Sequence, residues 1–146
     1  MSRVSTYLNF LGNTREAFEF YREAFGTEFI EPIVQIGDMP MPEGAPELSP
    51  ADRNAIMNIQ LPIIGGDVLV GTDLLESMGH ELHLGNNVSI NLEPDTRAET
   101  ERLYAALSEG SEEGGAPLAD MPWGAYWGSF QDRFGIRWMF NCYEPA

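Results

Sequence analysis

Residues 9–17, NFLGNTREA, return 82 positions later as NLEPDTRAE at 91–99. In both copies a strand-like stretch runs into an Asn or Asp, then Thr-Arg, then a helical pattern. Asn13 and Asp95 sit where a helix N-cap belongs, because a short polar side chain satisfies the free amides of the first turn. Glu16, three residues beyond Asn13, completes a variant of the capping box. Ahead of the first copy, VSTYLNFL at 4–11 predicts a strand. Ahead of the second, Asn87–Glu93 alternates cleanly, with Val88, Ile90 and Leu92 against Asn87, Ser89 and Asn91. An internal repeat of this kind implies two copies of one supersecondary unit.

Beyond the repeat, each half continues in a similar way. Ala17, Phe18, Tyr21, Ala24 and Phe25 fall at helical spacing, and Gly26 ends that helix. Residues 28–36 predict a strand that Pro32 marks as an edge or a bulge. Residues 55–64 and 67–72 flank Gly65-Gly66 as a hairpin. In that hairpin Asn58 and Gln60 point one way, while Met57, Ile59 and Leu61 pack on a helix. The second helix runs from Asp95 to about Ser108. A strand is expected near 116–120, then a hairpin of 125–131 and 136–143 closed by Asp132-Arg133-Phe134-Gly135. In its last arm Ile136, Trp138 and Phe140 share one face, and Arg137, Met139 and Asn141 the other. The expectation is an α+β chain, a single domain of 1–146 with two βαβββ modules at about 1–73 and 86–146. The modules are paired, forming a curved mixed sheet around a cleft with the helices outside. Residues 37–54, rich in Pro and Gly, are expected to be a stiff loop, and 73–86 another.

Composition narrows the partners. The chain has 8 Lys and Arg against 23 Asp and Glu, a net charge of −15. Phosphate backbones and anionic membranes need the opposite sign, so neither nucleic acid nor membrane is an expected partner. One cysteine, Cys142, rules out an internal disulfide, and its apolar strand suggests a buried thiol. No secretory h-region and no membrane-length apolar run is evident, so the expected location is the cytoplasm.

YLNFLGNTREAFEFYREAFG, GDMPMPE, IMNIQLPIIGGDVLVGTD and WGAYWGSFQDRFGIRWMFN, in that order, resemble the PhnB-like branch of the glyoxalase/bleomycin-resistance/extradiol dioxygenase superfamily, the vicinal oxygen chelate proteins. The resemblance implies paired βαβββ modules, a homodimer that often exchanges strands, and a ligand cleft. Metal-using members place His, Gln or Glu at four strand positions. Carried over, those positions are Thr6, Val70 or its neighbour Gly71, Asn87 and Met139. Val and Gly offer no donor, Thr and Asn are weak neutral ligands, and a thioether suits soft ions. No metal and no cofactor is therefore expected. Some PhnB-like proteins carry a ubiquinone methyltransferase label, but no Gly-rich loop for a nucleotide-like donor stands out here.

The expected ligand-binding cleft is lined by Asn58, Gln60, Asn87, Ser89, Asn91, Arg137, Met139 and Asn141, neutral amides around one guanidinium. Trp123, Tyr126 and Trp127 form an aromatic wall or an interface. His80-Glu81-Leu82-His83 lies in a Gly-bounded loop, at a spacing that does not set two His on one helical face. The reading is a small-molecule-binding protein of that superfamily, without its catalytic metal site, whose partners are itself, as a homodimer, and a polar small molecule. Two alternatives stand beside it. One is a metal-dependent lyase, isomerase or dioxygenase-like enzyme, with metal drawn from His80, His83 and Glu81. The other is a ligand-free structural or partner-binding dimer.

Overall fold

A computed structural model describes residues 2–112 and 114–146. The chain divides into two compact units, 1–83 and 84–146. Each is a βαβββ module. The first comprises β1 (Thr6–Phe10), α1 (Thr14–Phe25), β2 (Ile30–Gln35), the one-turn helix α2 (Pro50–Asn54), β3 (Ile56–Pro62) and β4 (Val68–Asp73). Its sheet order is β1-β4-β3-β2, with β1 parallel to β4 and the other pairs antiparallel. The second comprises β5 (Ile90–Leu92), α3 (Arg97–Ser108), β6 (Ala116–Asp120), β7 (Tyr126–Gln131) and β8 (Arg137–Cys142). Its order, β5-β8-β7-β6, repeats the first with the same parallel contact.

The α1 stripe is buried as its spacing predicts: Ala17, Phe18 and Tyr21 are fully covered. The helix packs on β3 and β4, where Ile59, Leu61 and Leu69 are fully buried. Gly71 sits under α1, where a Cβ would overlap the Phe18 ring and come within 3.0 Å of Thr14 Cγ2. The strand passes this close to the helix because that residue has no side chain. Gly26 ends α1 in the left-handed region at φ 67°, with its N–H bonded to Arg22 O. Gly65 and Gly66, at φ 72° and 80°, turn the β3–β4 hairpin. Pro32 lies in the edge strand β2, where the pairing to β3 shifts register.

Several boundaries differ from those read off the sequence. β5 is only Ile90–Leu92, so Asn87 and Ser89 precede it, and Val88 is exposed rather than inward. Its pairing to β8 stops at Ile90↔Trp138, and Asn86-Asn87 form a bend before it. Met57 is exposed, and Ile56 takes the buried position instead. The 37–54 stretch is not a plain loop. It includes part of a 3-10 turn, Ile36–Asp38, and α2, which Ser49 caps by accepting from Asp52 N at 3.1 Å. A second 3-10 turn, Glu76–Met78, interrupts 73–86.

The helix caps also move. Thr96, not Asp95, caps α3, its Oγ1 accepting from Glu99 N at 3.1 Å. Asn13 occupies the cap position of α1, but its side chain makes no capping hydrogen bond. The acceptor is Asp73 at the end of β4. Its Oδ1 takes Thr14 N at 3.0 Å and Thr14 Oγ1 at 2.6 Å, and its Oδ2 takes Ile56 N at 2.8 Å. In the second module Glu144, just past β8, accepts from Arg97 N at 2.6 Å. Both long helices thus receive a carboxylate from the end of their own module's last strand, as the helix dipole favours.

Among the described residues no helix is long and apolar enough to cross a membrane. The charge imbalance makes a prediction. Self-repulsion among 23 acidic groups outweighs the exposed Arg–carboxylate pairs, whose contributions are small. Raising NaCl from about 0.1 M to about 1 M shortens the screening length from about 10 Å to about 3 Å. The melting temperature should rise by several degrees across that range. A fall would mean that the ion pairs dominate.

Candidate functional site

In each module one sheet face carries that module's long helix, and among the described residues of the same module the opposite face carries none. On the second module's helix-free face, register places Gln131 beside Arg137, Ser129 beside Met139 beside Asn91, and Trp127 beside Asn141. Trp138, Phe140 and Cys142 point the other way and are fully buried. The alternation predicted for this strand holds along its length, because one face packs against α3 and its neighbours while the other is polar. Asn141 Nδ2 donates to Asn91 Oδ1 at 2.8 Å, which joins the two strands across the face. Ser129 and Gln131 share this face and were not singled out from sequence. Their signal was available: Trp127, Ser129 and Gln131 alternate against Gly128 and Phe130, which lie on the α3 side.

Arg137 differs from the arginines engaged elsewhere. Arg22, Arg53, Arg97 and Arg102 each meet a carboxylate within 4.0 Å. Arg137 is half-buried and, among the described residues, has no carboxylate within that range. Its Nε is sealed from solvent and makes no hydrogen bond. Arg22 Nε also lacks a well-aligned hydrogen bond, yet it lies 3.2 Å from Glu19 Oε2, so its charge is compensated.

On the first module's helix-free face, Gln60 lies beside Val70 and Ile30, and Asn58 beside Val34. Gln60 Nε2 donates to Asn58 Oδ1 at 3.3 Å. Tyr7 and Asn9 of β1 are exposed on this same face.

Of the four positions carried over from metal-using relatives, two lie in each unit. Thr6 opens β1, Val70 lies buried in mid-β4, and Met139 lies in mid-β8. Asn87 is outside any strand. Neither an imidazole nor a carboxylate is among them, so the donor chemistry does not fit a hard or borderline divalent ion. The His-containing loop is engaged differently. His80 Nδ1 accepts from Leu75 N at 2.9 Å, and His83 pairs with Glu81 at 3.4 Å with both side chains largely exposed. Among the described residues no three His, Cys, Asp or Glu side chains are gathered in a way that could hold a metal.

The aromatic residues separate. Trp123 is exposed in the turn before β7. Trp127 lies on the helix-free face. Tyr126 lies on the α3 side, where its hydroxyl donates to Glu101 Oε1 at 2.9 Å. The Arg97 guanidinium stacks 3.8 Å from the Tyr126 ring centroid and grips both oxygens of Asp120 at 2.7 and 3.1 Å. That hydrogen bond holds the Asp120 carboxyl below its usual range. The cluster is saturated by its own members and is a surface staple of β6, β7 and α3.

Comparison with known proteins places these observations in a wider group. Residues 2–140 match the family model described as 3-demethylubiquinone-9 3-methyltransferase. The crystal structure of protein PA1353 from Pseudomonas aeruginosa is 34% identical, covers 97% of this chain and 98% of its own, and superposes with a TM-score of 0.76. A putative 3-demethylubiquinone-9 3-methyltransferase, PhnB protein, from Bacillus cereus is 20% identical at a TM-score of 0.69, over 97% and 99% of the two chains. A glyoxylase/bleomycin resistance protein/dioxygenase domain from Frankia sp. EAN1pec shares the fold at 14% identity and a TM-score of 0.62, over 97% and 92%.

Proposed function

The chain belongs to the family described as 3-demethylubiquinone-9 3-methyltransferase, the PhnB-like branch of the glyoxalase/bleomycin-resistance fold, and from that premise we propose that it binds a polar small molecule without a catalytic metal. The observation that carries this is the helix-free face of the second sheet. It presents an Asn91–Asn141 amide pair, Ser129, and the Arg137 guanidinium, whose Nε has no hydrogen-bond partner among the described residues. Neutral amides orient a ligand through directional hydrogen bonds, and Met139 and Trp127 supply apolar contact. Asn58 and Gln60 offer the same chemistry on the first module's face. Asn87 and Ser89 lie in the approach to β5 and belong to the rim of this reading. The protein acts as a cytoplasmic homodimer.

The family's description names methyl transfer. A nucleotide-like donor is commonly held at a strand-to-helix turn whose free amides face the ligand. Here the first amide of α1 is taken by Asp73 and that of α3 by Glu144, so these turns do not fit such a donor.

Elemental analysis of untagged protein, with thermal shift against zinc, nickel, manganese and ferrous iron, tests the metal-free part. The expected result is no stoichiometric metal and no shift. A metal at one per chain would overturn it and favour a lyase or dioxygenase-like enzyme. The ligand-free alternative is weakened by Arg137, whose charge a purely structural face leaves uncompensated.

A further inference from the structure

The Arg137 guanidinium says more about the ligand than that it is polar. In a chain with 23 acidic residues, a half-buried arginine with no carboxylate within 4.0 Å among the described residues needs a reason. Its Nε is sealed by protein atoms and bonds to nothing among the described residues, so a ligand would meet this side chain at its terminal nitrogens. The nearest residue in register, Gln131, is committed to the turn, donating from Nε2 to Gly135 O at 3.3 Å. The other positions of the face are neutral: Met139 and Ser129, then Asn141 and Trp127. Along β8 the face runs from Arg137 past Met139 to Asn141, a span of about 13 Å at about 3.3 Å per residue. A charged end, an apolar middle and a neutral hydrogen-bonding end therefore follow one another on a single strand.

Resting on the reading that this face binds a small molecule, we infer that its ligand is an elongated monocarboxylate. The carboxylate is held by Arg137, the apolar body lies over Met139, and a neutral polar group at the far end bonds the Asn91–Asn141 pair beside Trp127. A guanidinium fork suits a carboxylate, to which it can donate two parallel hydrogen bonds. A single cation inside a field of −15 favours one negative charge over two, since each further anionic charge is opposed by the whole molecule. That excludes phosphate monoesters and dicarboxylates from the preferred class.

The test uses three probes on the full chain, followed by ligand-observed NMR and calorimetry: ω-hydroxyoctanoate, its methyl ester, and octanoate. Wild type should bind the hydroxy acid about tenfold more tightly than the ester, the gain expected of one charge-assisted hydrogen-bonded pair. Arg137→Gln should erase that ratio and leave the melting temperature unchanged. Arg137→Lys should retain a reduced preference for the acid. Asn141→Leu should weaken the hydroxy acid and spare octanoate. If ester and acid bind equally to wild type, the carboxylate class is overturned while the binding face stands. If none of the three binds at millimolar concentration, both fall. If Arg137→Gln and Arg137→Lys melt early by similar amounts, Arg137 is a structural residue and the inference is wrong.

Discussion

Replacing Asp132 with Ala should destabilise the protein by about 3–5 kcal/mol, the sum expected when three donors lose one buried acceptor at about 1–3 kcal/mol each, discounted for those that water can reach. Asp132 is 4% exposed. Its Oδ1 accepts from Phe134 N and Ile136 N, both at 2.9 Å, and its Oδ2 accepts from Trp138 Nε1 at 2.8 Å. The backbone closes the same turn, with Asp132 N on Ile136 O at 2.7 Å and Gly135 N on Asp132 O at 3.0 Å. One carboxylate therefore shapes the β7–β8 turn and also satisfies the indole of the largest buried side chain. The two backbone donors are only partly buried and can rehydrate, but Trp138 is fully enclosed and its N–H cannot. Asp132→Asn keeps the shape and one acceptor oxygen while presenting an amide N–H to a donor, so its cost should be about 2–3 kcal/mol. Urea denaturation should read these as lower midpoints at unchanged slope, and the Ala variant should melt about 10–15 °C lower. In a Trp138→Phe background the Asn substitution should cost about 1–2 kcal/mol less, because the indole donor is already gone. Full additivity of the two changes would show that the Asp132–Trp138 bond contributes nothing separable.

That turn was legible because its cause is local. Asp132 to Gly135 are turn residues in sequence, and the alternation after them needs only a buried face on one side. The repeat at 9–17 and 91–99 was legible for the same reason: a cap, a Thr-Arg and a helical stripe are all short-range signals. The strand near 116–120 was found where the repeat required one, at Ala116–Asp120. What the sequence hid is set by distant partners. Asn13 has the right chemistry and position to cap α1, yet the cap on Thr14 comes from Asp73, 59 residues beyond Thr14. β5 alternates over seven residues but pairs for three, because only Ile90, Asn91 and Leu92 lie opposite β8. Strand length is decided by the neighbour, not by the pattern. The same holds for the candidate site. Arg137, Met139 and Asn141 fell on one face by alternation alone, whereas Ser129 and Gln131 join them only once the β7–β8 register is known.

Asp73→Ala should cost a similar amount, about 3–5 kcal/mol, through a different connection. Asp73 is 6% exposed and accepts from Thr14 N, Thr14 Oγ1 and Ile56 N. These partners begin α1 and β3, so a single carboxylate at the end of β4 fixes where both elements start. Its negative charge also lies at the helix N-terminus, where the dipole favours it. Thr14→Ala removes one of the three bonds and leaves the backbone amides served, so it should cost about 1 kcal/mol. Glu144 provides the internal comparison. It makes the equivalent contact to Arg97 N, but at an exposed site that water can replace. Glu144→Ala should therefore lose less than about 1 kcal/mol. Native-state hydrogen exchange separates the two cases. In Asp73→Ala the amides of Thr14 and Ile56 should lose protection well beyond the global change, whereas in Glu144→Ala only the first turn of α3 should fray. Equal costs for the two variants would mean that burial is not what makes the Asp73 cap strong, and that helix capping alone accounts for both.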